Sequence, residues 1–152
     1  MKYILVSFLL LAACQFHPLF NDKVVDNVCV ASIPDAFGYK LRTELKKYFS
    51  ESAGCTYTLQ VTTPKMSLSD QSISNKDLVT MQRVQATTSY KLLNTKKTTL
   101  LENSITADGS SAVVQNPYST VISVEKTENN LIPILAQKIA LHITAYLDGL
   151  KE

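Results

Sequence analysis

Of the side chains that can do chemistry in this sequence, the thiol of Cys14 has the most informative surroundings. It closes the stretch Leu11-Ala12-Ala13-Cys14, which follows an apolar run from Tyr3 and a single positive charge at Lys2. That order of charge, apolar segment, small residues and cysteine predicts export and cleavage before residue 14. Three readings are open for this stretch: a cysteine that carries lipid on the new N-terminus, an ordinary signal peptide with a chance cysteine, and a buried N-terminal helix. An apolar run this short cannot cross a bilayer as a permanent helix, which takes about 20 apolar residues. Acyl chains can hold the product at a membrane instead, because each buried methylene contributes about 0.8 kcal/mol.

Cys29 and Cys55 are the remaining thiols. In an oxidising compartment they have two readings. One is a disulfide that closes a loop of about 27 residues and adds roughly 3 kcal/mol of stability. The other is a pair of buried free thiols that fill space. Neither has a histidine neighbour or the spacing of a metal knuckle, so no metal site is expected. His17 precedes the domain, and His142 lies between Leu141 and Ile143 in an amphipathic segment. No serine sits in a Gly-x-Ser-x-Gly elbow, and the thirteen carboxylates are scattered. We therefore expect no catalytic residues, no enzyme activity and no cofactor. The formal charge of +2 falls to +1 once Lys2 is removed, which is too little for a nucleic-acid binder.

These residues need a scaffold, and the pattern supplies one domain. Residues 1–13 read as the cleaved signal, 14–23 as a lipidated tether and 24–152 as a single α/β domain. Val24 to Ile33 is rich in valine and predicts a first strand. Asp35 is placed to cap a helix with the apolar set Phe37, Leu41, Leu45, Tyr48 and Phe49, and Gly54 is a natural stop. Tyr57, Leu59 and Val61 alternate with polar residues, and Met66 and Leu68 continue the alternation after Pro64, as across a bulge. Asp70 to Asp77 reads as a turn.

Leu78 to Leu93 predicts a long strand with Val84, Ala86, Tyr90 and Leu92 on one face. A turn at Asn94-Thr95-Lys96-Lys97 leads to a strand from Thr98 to Ala107, ended by Asp108-Gly109-Ser110-Ser111. Leu131, Leu135, Ile139, Ile143, Tyr146 and Leu150 predict a final helix that, because of Pro133, either starts near Asn130 or is bent there with a preceding segment from about Ser119 to Glu128. The order β-α-β-β-β-α describes an α+β, two-layer α/β sandwich: a four-stranded, mainly antiparallel sheet with both helices on one face.

The wet strand faces are rich in hydroxyls and amides (Thr58, Gln60, Thr62, Gln82, Gln85, Thr87, Thr88 and Ser89) and poor in charge. Such a surface suits a domain enclosed in a polar cavity, although threonine also favours strands for steric reasons. Arg83, Lys91, Lys96 and Lys97 are the cations beside it, with the chemistry to meet phosphate.

Taken together, these motifs resemble a known family. Leu11-Ala12-Ala13-Cys14 is similar to the lipobox of bacterial lipoproteins. Cys14-Gln15-Phe16-His17-Pro18-Leu19-Phe20 resembles the start of the LPS-assembly lipoproteins, the LptE family, in its alphaproteobacterial form. Ile33-Pro34, Leu41-Arg42-x-x-Leu45, Tyr57-x-Leu59-x-Val61, Arg83-x-x-Ala86, Tyr90-x-Leu92 and Leu135-Ala136-x-x-Ile139 extend the likeness over nearly the whole chain. The resemblance implies an outer-membrane lipoprotein on the periplasmic side that plugs and helps assemble a large β-barrel, LptD, which delivers lipopolysaccharide to the surface. Gln15 in place of Asp agrees with outer-membrane sorting by analogy with enterobacterial lipoproteins. Under this reading Arg83, Lys91, Lys96 and Lys97 are phosphate contacts for lipopolysaccharide, on a charge argument alone. The alternative is a lipid-anchored periplasmic binding or adaptor subunit of another envelope transport or secretion machine.

Overall fold

The computed structural model describes residues 25–50, 54–73, 79–113 and 116–150. The expected signal segment, the tether and Cys14 lie outside the described residues.

A long central strand organises the sheet. It is β6, Val79–Asn94, and its neighbours are β4, Tyr57–Val61, β5, Lys65–Ile73, and β7, Thr99–Ala112. β7 runs antiparallel along one edge, with Ala86 opposite Ala107 and Leu92 opposite Leu101. The other edge is shared: β4 pairs with the second half of β6, and β5 with the first half. The chain between them slips by one residue at Thr62–Pro64, where Pro64 has no amide to give to the ladder. Thr62 fills the gap. Its Oγ1 accepts from the Ser89 amide at 3.0 Å, and its carbonyl accepts from Thr88 Oγ1 at 2.6 Å. The alternation on either side of Pro64 is therefore one interrupted edge, which makes the sheet four strands wide.

The N-terminal strand breaks in two. β1, Val25–Asp26, pairs in parallel with β3, Phe49–Ser50, and β2, Val28–Val30, pairs in parallel with β4. Asn27 between them takes a left-handed conformation (φ 69°), which asparagine tolerates better than most residues. β2 joins the sheet at the level where Val28, Tyr57 and Asn94 line up across three strands.

Two helices cover one face. The first, α1, is Asp35–Leu45, and the second, α2, is Pro117–Asp148. Leu41 and Leu45 of α1 are buried with Val28 and Val30, in one core with Leu59, Val84, Ala86, Tyr90 and Leu92. α2 supplies Leu131, Ile132, Leu135, Ala136, Ile139, Ala140, Ile143 and Leu147 to that core. Burying one such side chain contributes about 1.5–3 kcal/mol.

Several boundaries differ from expectation. α1 ends at Leu45, and Phe49 is a strand residue. Asp35 makes no side-chain cap; Pro34 occupies the cap position. Asp70 belongs to β5 rather than to a turn. β7 passes through Gly109 to Ala112, because the missing side chain lets α2 come close: a Cβ on Gly109 would sit 2.8 Å from Thr127 Cγ2. α2 is continuous through Pro133 and starts sixteen residues before it, at Pro117. Asn116 caps it by accepting from the Tyr118 amide at 3.0 Å, and a proline at the first position loses no helical hydrogen bond. The interior Pro133 costs about 3 kcal/mol, offset by the buried residues beside it. No helix among the described residues is long and apolar enough to cross a membrane.

Candidate functional site

β6 places its odd-numbered residues on the face that carries no helix. Arg83, Gln85, Thr87, Ser89 and Lys91 stand there opposite Ser110, Asp108, Thr106, Ser104 and Glu102 of β7. Gln60 of β4, opposite Lys91, shares this face. Gln82 and Thr88 depart from the expected wet set. Both have the register parity of the core positions, and Thr88 is buried, its hydroxyl donating to the Thr62 carbonyl at 2.6 Å.

The face is a lattice of paired polar groups. Arg83 Nη2 lies 2.9 Å from Asp108 Oδ1, and Gln85 Nε2 donates to the same oxygen at 2.9 Å. The Gln85 hydrogen bond and the Arg83 charge hold the Asp108 carboxyl below its ordinary value. Thr87 and Thr106 share a hydrogen bond of 3.0 Å, and Lys91 Nζ lies 3.0 Å from Glu102 Oε1. β6 supplies the cations and β7 the carboxylates, with hydroxyls and an amide between them, so the surface offers groups to a polar wall of either sign.

The four cations expected to contact phosphate do not converge. Arg83 and Lys91 lie eight residues apart on β6, about 26 Å at the rise of a strand, and each meets a carboxylate. Lys96 and Lys97 occupy the β6–β7 turn. Asn94 builds that turn, its Oδ1 accepting from the amides of Lys96 and Thr98 at 2.9 Å each. Lys97 adopts φ 60°, the left-handed position that usually falls to glycine or asparagine. Among the described residues, neither turn ammonium meets a carboxylate. Cys29 and Cys55 are joined as a disulfide with Cα atoms 5.6 Å apart, which ties β2 to the segment before β4. His142 Nδ1 lies 3.2 Å from the hydroxyl of Tyr90. No group of three or more metal-ligating side chains occurs among the described residues.

Sequence reasoning missed one surface. α1 spans 11 residues and α2 spans 32, so the first turns of α2 extend past α1. There Tyr118, Val121 and Ile122 are 73%, 64% and 46% exposed. Asn116-Pro117, a cap followed by a first-position proline, was the available signal for a helix long enough to leave this overhang.

The whole arrangement has solved counterparts. It is similar to the rare lipoprotein B from Shewanella oneidensis, with a TM-score of 0.67 and 10% identity over 84% of this chain and 98% of that one. It is similar to lipoprotein B from Nitrosomonas europaea, with a TM-score of 0.64 and 12% identity over 85% and 91% of the two chains. A minor lipoprotein from Acinetobacter baumannii gives a TM-score of 0.58 and 20% identity over 80% and 93%. The chain shares the fold of these three bacterial lipoproteins. No family model and no curated protein matches the sequence. The likeness is one of backbone, over at least four-fifths of this chain, with little common sequence.

Proposed function

We propose that this chain is an outer-membrane lipoprotein, anchored through Cys14 on the periplasmic side, that plugs and helps assemble an LptD-type β-barrel delivering lipopolysaccharide to the cell surface. It works without a catalytic residue or cofactor. One observation carries the reading: the helix-free face of the sheet is a broad lattice of self-paired polar groups, in a fold shared with rare lipoprotein B.

An uncovered sheet face with few free charges can enter a hydrated lumen without burying an uncompensated ion, which would cost several kcal/mol. Its hydroxyls and amides can exchange water for the side chains of a barrel wall. The lipid on Cys14 keeps the plug beside its barrel before and during assembly. The apolar overhang of α2 gives the same body a second contact surface, of opposite character.

The test is to tag the C-terminus, extract native outer membranes in mild detergent and identify what co-purifies. A stoichiometric large β-barrel is expected. Recovery alone, or with an inner-membrane transporter, would overturn the plug reading and favour the adaptor.

A further inference from the structure

Strand register fixes what lies beside the root of the tether. Val28 aligns with Tyr57 and Tyr57 with Asn94, so the chain enters the domain at the same end as the β6–β7 turn. The Val25 amide donates to the Tyr48 carbonyl at 3.0 Å, which brings the end of α1, with Lys46 and Lys47, to this pole as well. The opposite pole, where β6 begins at Val79, is about 50 Å away along the strand. Only ten residues separate Cys14 from Val25, and those eleven steps reach at most about 40 Å when fully extended. A lipid on Cys14 therefore keeps the Lys96–Lys97 pole within about 40 Å of its membrane, closer than the far pole can stand when the domain is upright.

The cations of the chain are used unequally. Arg83, Lys91 and Lys47 meet Asp108, Glu102 and Glu44, whereas the two turn lysines, like Lys65 and Lys126 elsewhere, meet no carboxylate among the described residues. The pole also carries Asp26, Glu44 and Asp148. Of these, Glu44 is already held by Lys47 at 2.7 Å. Lys97 also occupies a backbone position where glycine would be unstrained.

We propose that the Lys96–Lys97 turn is a membrane-contact tip, whose ammonium groups engage the phosphates of anionic phospholipid headgroups in the bilayer that holds the anchor. The inference rests on lipidation of Cys14 but not on the barrel. In the anchored chain not yet seated in a barrel, the contact points the domain's long axis away from the surface and carries the apolar overhang of α2 outward. Two lysines suffice because the tether already confines the tip near the headgroups, so the attraction sets orientation rather than capture. A lysine near an anionic surface strengthens association roughly fivefold.

The experiment uses the full lipidated protein in nanodiscs of phosphatidylcholine, with and without phosphatidylglycerol. Mass analysis of Cys14 first establishes that the anchor is present; an unmodified Cys14 would overturn the anchoring reading and this inference with it. A spin label at T95C reports proximity to the headgroups, and a second at I122C reports the far pole. The T95C label is expected to approach the headgroups only when phosphatidylglycerol is present, and to withdraw in high salt. The variants K96Q and K97G should each weaken the contact about fivefold, while I122C stays distant throughout. K97G relieves the left-handed backbone, so its fold is safe and a loss of contact reads the charge. Equal proximity in both bilayers, or an unchanged contact in K96Q and K97G, would overturn the inference. Approach only in discs doped with lipopolysaccharide would overturn it too, while leaving the proposed function standing.

Discussion

The hydroxyl of Tyr90 on the central strand lies 3.2 Å from Nδ1 of His142 on α2, a polar tie between the two layers. Tyr90 is otherwise buried, only 1% exposed, and burial pushes its phenol up from 10.0 while a hydrogen bond from Asn103 opposes the shift. The folded chain thus holds this proton more tightly than the unfolded one. The stability linked to Tyr90 is complete below the unfolded value and is lost as pH rises through the raised folded one. Y90F should cost about 1 kcal/mol at neutral pH. Urea unfolding from about pH 8 to about pH 11 should show a steeper alkaline loss in the wild type than in Y90F.

The Cys29–Cys55 bridge spans 26 positions and fastens a strand of three residues to the sheet. Replacing both cysteines by serine, or adding a reductant, should remove about 3 kcal/mol. Thermal melts with and without reductant check this, and the double variant should respond to neither condition.

Gly109 leaves no room for a side chain between β7 and α2. Alanine there would press on Thr127 and Leu131, at 2.8 and 3.4 Å. G109A should cost about 1–3 kcal/mol, and a larger residue more. A double variant that also shortens Thr127 to alanine should recover part of the loss, which chemical denaturation would read.

Cys14→Ala should move the protein from the membrane to the soluble periplasmic fraction, since no acyl chain then opposes release. Fractionation followed by immunoblotting decides it. Retention in the membrane would mean that something other than Cys14 holds the protein there.

The sandwich was legible because period carries it: Val84, Ala86, Tyr90 and Leu92 alternate, and Leu131, Leu135, Ile139 and Ile143 follow helical spacing. Breakers misled where their role depended on the neighbouring layer. Gly109 looks like a strand end, yet it makes room for α2. Pro133 looks like a helix boundary, yet the buried residues around it hold the helix together. The polar face was legible residue by residue, but not its pairing. That Arg83 meets Asp108 and Lys91 meets Glu102 depends on register between two strands, which no local pattern encodes.

The order of elements also bears on how the chain comes to be folded. α2 is the last element, so a chain made from its N-terminus builds all seven strands before their lid exists. Until those final residues arrive, the short α1 alone shields part of the apolar floor formed by Val84, Ala86, Tyr90, Leu92, Ile105 and Ala107. A premature stop before residue 117 would leave the rest of that floor permanently bare, a sticky intermediate for chaperones and proteases rather than a shorter working protein.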